Sequence, residues 1–153
     1  MNVQVIGIRG DAGFDEIIRH FTGLGGDAVL LDPGVVCGRD HLLSAAAHAE
    51  RAFRNGTNRS KTLLTETILY AAGDRQIGRA MEKMRPKDGK NGMVAVLFGI
   101  DDPELGRIGM TRCDEIMNAS PAKAEALGID VFEGISYEDA ALEHVAMADL
   151  LKQ

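Results

Sequence analysis

Six consecutive residues, Met93 to Phe98, carry no polar side chain and lie between Gly92 and Gly99. A strand with one wet face alternates apolar and polar side chains, so a short unbroken apolar run reads as a central strand covered on both faces. Such a strand needs a sheet around it and a helical layer against that sheet. Val3 to Ile8 reads as a first strand and Ala28 to Leu31 as a second. The second is closed by Asp32-Pro33-Gly34 and resumed by Val35-Val36-Cys37; Ile129 to Phe132 is a further strand candidate.

The helices are marked by spacing and punctuation. Phe14, Ile17, Ile18 and Phe21 recur at helical intervals before the Gly23-Leu24-Gly25-Gly26 breaker. From Arg39 to Arg54, Leu42, Ala46, Ala49 and Phe53 form one face, while His41, Ser44, His48, Arg51 and Asn55 form the other. Gly56 ends that helix. Ser60 is placed to cap a helix over Lys61–Ala72, with Leu64, Ile68 and Leu69 turned inward. Gly73 ends it, and Asp74 is placed to cap Arg75–Met84 before Pro86. Ser120-Pro121 opens a short helix that Gly128 stops. Ser136, with Asp139 three residues on, caps a last amphipathic helix running to Leu151. The pattern describes an α/β chain: a single domain over 1–153, a small mixed β-sheet packed with helices, and a helix-rich middle over residues 39–84.

At 45% hydrophobic and 26% charged residues the chain resembles ordinary soluble proteins, and a domain of its length buries roughly 70% of the surface of its unfolded chain. It needs neither metal nor disulfide to fold. Cys37 and Cys113 have no second ligand at metal spacing. His41 and His48 lie two turns apart on one helix, out of reach of a shared ion. No nucleophile elbow or Walker loop is present. Gly7, Gly10 and Gly13 miss the dinucleotide spacing, and Asp11 would repel a pyrophosphate there. No apolar run is long enough to span a bilayer. The expectation is a soluble, cytoplasmic protein without cofactor or metal, and not an enzyme.

Charge is distributed unevenly. Residues 51–90 hold ten basic and four acidic side chains, a net of +6 in a chain whose total is −6. The remainder is therefore −12, and the confined positive segment points to a local polyanion contact. Asn58, Arg59, Ser60 and Lys61 lie at the expected start of one helix, where free N–H groups and the dipole favour an anion; Arg75, Gln76 and Arg79 open the next. Hydrogen-bonding side chains beside flexible cations suit a short unpaired RNA strand better than a duplex.

Gly38-x-x-His41-Leu42-Leu43-Ser44-Ala45-Ala46, Arg51-Ala52-Phe53-x-x-Gly56-x-Asn58-x-Ser60, Leu69-Tyr70 through Gly73-x-Arg75-Gln76-Ile77, and the strand Val94 to Phe98 together resemble the KEOPS-complex subunit of the PRPK-binding protein (TPRKB) type. The chain departs from that pattern at Arg59, where an apolar residue is usual, and at Ala72, where Ser is usual. The resemblance implies a non-catalytic accessory subunit of the assembly that installs N6-threonylcarbamoyladenosine on tRNA. It would bind the complex's small atypical kinase/ATPase and hold the single-stranded 3′ CCA end of tRNA. By position, the tRNA candidates are Asn58, Arg59, Ser60, Lys61, Arg75 and Gln76, with Arg51 and Arg79 as supporting cations. No DNA or membrane partner is implied. Leu142, Val145, Met147 and Leu150 on the last helix are the candidates for the kinase face. Two other readings stay open: a small-ligand or nucleotide-binding α/β domain built on Gly7, Gly10, Gly13 and His41, and a protein-only scaffold.

Overall fold

In the computed structural model, which describes residues 2–87, 92–131 and 133–151, the strands β1 (Val3–Arg9), β2 (Asp27–Leu31), β3 (Met93–Phe98) and β4 (Thr111–Arg112) form one sheet in the order β2-β3-β1-β4. The helices are α1 (Phe14–Gly23), α2 (Arg39–Asn55), α3 (Leu63–Ala72), α4 (Ile77–Met84), α5 (Pro121–Leu127) and α6 (Tyr137–Leu151). The small α/β architecture is as expected; the sheet differs from a mixed one in that every described pairing is antiparallel. β1 and β2 do run the same way, joined by the crossover helix α1, but β3 inserts between them and is antiparallel to both. This is a split βαβ arrangement, in which the inserted strand replaces the parallel ladder.

β3 is buried along its whole length. Its alternate residues serve two cores, as the period of a strand requires. Val94, Val96 and Phe98 join Val5, Val29 and Leu31 beneath helical residues such as Leu42, Ala46, Leu69 and Val145. Met93, Ala95 and Leu97 join Ile6, Ile8 and Leu30 beneath Ile17 and Phe21 of α1.

Several local expectations are corrected. Val35 belongs to a 3-10 turn, Pro33–Val35, because proline fixes φ and lacks the N–H a strand would use. Residues 129–131 are not a strand, and Phe132, the end of that expectation, lies outside the described residues, as do Asp88 and Lys90 of the basic segment. Helix α3 begins at Leu63 with Thr62 as its cap, the Thr62 hydroxyl accepting from the Thr65 N–H. Helix α4 begins at Ile77 with Gln76 as its cap, accepting from the Arg79 N–H. Ser60 and Asp74 are both drawn into other contacts.

The C-terminal end of α3 is closed completely. Gly73, at φ +65°, lets the chain turn so that its N–H and that of Asp74 reach the Leu69 and Tyr70 carbonyls. The Ala71 carbonyl accepts from His41 Nε2 at 2.9 Å, and the Ala72 carbonyl from His144 Nε2 at 3.0 Å and Lys83 Nζ at 3.3 Å. The four carbonyls that a helix leaves unpaired are all satisfied.

Candidate nucleic-acid interface

The loop between α2 and α3 folds back over α3 because of Glu66. This carboxylate is 0% exposed. It accepts from the backbone N–H of Arg59 at 3.1 Å, from the N–H of Ser60 at 2.9 Å and from the Ser60 hydroxyl at 2.9 Å. A buried charge is tolerated where donors converge on it, and here two successive N–H groups and a hydroxyl do so. Asn58 closes the turn by donating from Nδ2 to the Ser60 carbonyl at 2.9 Å. Ser60, itself only 5% exposed, is therefore an interior brace of the loop rather than a surface hydroxyl.

This folding carries Arg59 alongside α3 toward the corner where α3 meets α4. Arg59, Leu69, Tyr70, Asp74, Arg75 and Ala148 line one small, open cleft. The two basic stretches that the sequence separates by a helix thus meet over its C-terminal half. Asp74 accepts from the Gln76 N–H at 2.9 Å and takes the Arg79 guanidinium at both oxygens, 3.0 and 3.1 Å. The bonded guanidinium holds the Asp74 carboxyl below the usual carboxylate range. Arg79 is in consequence a paired cation. Lys61 and Gln76 are exposed, although the Gln76 Oε1 is already occupied as the cap of α4.

A second carboxylate, Asp149 of α6, stands behind the cleft. It accepts from the Tyr70 hydroxyl, lies 2.8 Å from His48 Nδ1 and sits 3.6 Å from Arg51 Nη2. Burial pushes its carboxyl up, but the bonds from Tyr70 and His48 outweigh that and leave it below the ordinary range. Burial and the same bond push the Tyr70 phenol up. Arg51 is 2.9 Å from that same His48 nitrogen, so this candidate too is tethered.

Two of the alternative small-ligand residues, His41 and Gly7, are engaged elsewhere. His41 is fully buried; its Nδ1 accepts from the Cys37 N–H at 3.1 Å while Nε2 serves α3. Gly7 lies against the chain, its N–H donating to Asp114 and its carbonyl accepting from Cys113. A Cβ there would come within 2.1 Å of the Cys113 carbonyl oxygen, so this glycine is required by packing. Among the described residues no three His, Cys, Asp or Glu side chains could hold a metal ion, and no helix is long and apolar enough to cross a membrane.

Of the candidates on α6, Val145 is buried in the core and Leu142 is partly buried, whereas Met147 and Leu150 are 52% and 57% exposed. Glu66 and Asp149 shape the cleft without having been singled out from sequence, and Tyr70 entered only as part of the family-like motif. Asp74 carried a signal of its own, and that signal suggested a helix cap.

Fold and cleft together define a small α/β module in which carboxylates brace a loop and a helix corner. The chain belongs to the family described as kinase binding protein CGI-121, which it matches over residues 19–146. No curated protein matches it. The match runs from within α1 almost to the end of α6, covering β2, β3 and β4 and the whole cleft apart from Ala148.

Proposed function

We propose that this chain is a non-catalytic accessory subunit of the KEOPS assembly that installs N6-threonylcarbamoyladenosine on tRNA, binding the assembly's small kinase-like ATPase and recruiting tRNA by its unpaired 3′ CCA end. Membership of a kinase-binding family supports the first contact. The observation that carries the second is the meeting of Arg59 and Arg75 in one cleft. An unpaired strand presents phosphates on a flexible backbone that two cations in one cleft can grip, while a rigid duplex matches such a narrow site poorly. Lys61, exposed at the loop, extends the positive path.

Filter binding with intact tRNA and with tRNA lacking its CCA end tests this reading. Tighter binding of intact tRNA is expected, with Lys61→Ala and Arg75→Ala each lowering the magnitude of the log-log salt slope by about 0.7. Equal binding of the two tRNAs would overturn the proposed recognition. A protein-only scaffold draws support from the Asp74–Arg79 ion pair. It predicts kinase capture without tRNA affinity even at low salt.

A further inference from the structure

We infer that Asp149 is a positioning residue that holds Arg51 in reserve, limiting the positive charge the cleft offers to a nucleic acid; this rests on the nucleic-acid reading above. One carboxylate links three helices here. Its Oδ1 accepts from Tyr70 of α3, whose ring lines the cleft; its Oδ2 faces His48 and Arg51 of α2; and its chain neighbour Ala148 lines the cleft with Arg59 and Arg75. Arg51 keeps a half-exposed side chain, at 53%, yet points its Nη2 into this network.

The donors explain why the hold is specific. His48 Nδ1 lies between Asp149 Oδ2 at 2.8 Å and Arg51 Nη2 at 2.9 Å. Arginine only donates, so a neutral His48 either accepts from Arg51 or donates to Asp149 through that nitrogen. In both arrangements the negative charge of Asp149 lies within 3.6 Å of the guanidinium and offsets it. The second carboxylate at the cleft, Asp74, treats Arg79 in the same manner. The two supporting cations are thus each matched by an acid.

Asp149→Asn is the informative change because it keeps shape. The amide oxygen still accepts from Tyr70, and the amide N–H donates to His48 Nδ1, which then has nothing to offer Arg51. With the counter-charge gone, Arg51 becomes available for one phosphate. In salt titrations of binding to a single-stranded RNA ending in CCA, the slope should steepen by about 0.7, and affinity at 0.1 M salt should rise about fivefold. Adding Arg51→Ala should abolish that gain, while Arg51→Ala alone should change the slope by less than half as much as Lys61→Ala. Glu104→Gln serves as control, since it removes an acid paired with Arg107 beside the α1 core, on the other side of the sheet. It should leave the slope unchanged. An Asp149→Asn protein that binds with the parental slope, or a gain that survives Arg51→Ala, would overturn the assignment. A parental chain that fails to retain the RNA at low salt overturns the functional reading and this inference with it.

Discussion

Glu66 and Ser60 are bonded twice: one carboxylate oxygen takes both the backbone N–H and the hydroxyl of Ser60, each at 2.9 Å, with neither residue more than 5% exposed. The fold of the α2–α3 loop, and with it the position of Arg59, depends on this pair. Glu66→Ala leaves buried donors without an acceptor, at about 1–3 kcal/mol each when none finds water. A net loss of about 3 kcal/mol is expected, read as a fall of about 6–12 °C in melting temperature. Ser60→Ala should cost about 1 kcal/mol and leave the salt slope of RNA binding unchanged, because its hydroxyl is spent inside the loop. A Ser60→Ala protein of parental stability would count against that role.

Gly73 sits where two demands coincide. Its φ of +65° disfavours any side chain, and a Cβ would come within 2.1 Å of His144 Nε2, the group that closes the Ala72 carbonyl. Gly73→Ala should therefore cost about 2–3 kcal/mol, combining backbone strain with a displaced hydrogen bond. Differential scanning calorimetry should show a fall of about 4–12 °C.

The pH dependence of stability follows from His41. Burial lowers its pKa from 6.5 to about 4, despite the bond to the Ala71 carbonyl. Between those values the unfolded chain binds more protons than the folded one, so stability rises with pH across the window. The contribution is complete above pH 6.5 and is lost as pH falls toward 4, where about 3 kcal/mol has gone. His144, also lowered mainly by burial, acts in the same sense. Asp74 and Asp149, held below the ordinary range, add losses only at lower pH. Melting curves recorded from neutral pH downward should show this slope, and His41→Gln should flatten it while lowering stability throughout.

How far these features were legible in the sequence depended on the range of the interaction that made them. The Met93–Phe98 run announced a strand covered on both sides, and the two cores bear this out residue by residue. Gly56, Gly73 and Gly128 ended helices where expected, each at positive φ, since the need for glycine there is local. Helix starts were less legible. Ser60, Thr62, Asp74 and Gln76 can all accept from an N–H, and the choice was made by Glu66 and Arg79, whose side chains claim Ser60 and Asp74. Glu66 lies inside the expected helix Lys61–Ala72 with no pattern to set it apart. Asp149 reads as an unremarkable acid near a helix end, and its bond to Tyr70 spans 79 residues. Such partners become visible only when the helices are packed.

The cations of the basic segment should separate by function once tested one at a time. Arg79 is fixed by two hydrogen bonds to Asp74, so its charge is compensated before any ligand arrives. Arg75 lines the cleft with Arg59. On the proposed function, Arg79→Ala should lower the magnitude of the salt slope by clearly less than the roughly 0.7 of one phosphate contact. Arg79→Ala should instead leave Asp74 without its guanidinium and disturb the α3–α4 corner. A loss of about 0.7 with Arg79→Ala would show that the ion pair does not shield Arg79.

The candidates for kinase docking on α6 divide by exposure, which permits a test that separates docking from folding. Val145 is 0% exposed within the helical core, so Val145→Asp buries a charge without a partner and should unfold the chain whatever α6 binds. Met147 and Leu150, at 52% and 57% exposed, tolerate charge without loss of core packing. If these two side chains contact the kinase, Met147→Asp and Leu150→Asp should weaken capture of the kinase by at least about tenfold, the effect of about 1.4 kcal/mol lost from an interface anchor. Melting temperatures should stay within about 2 °C of the parent, as for surface substitutions. Parental capture by both variants would move the docking surface off this face of α6.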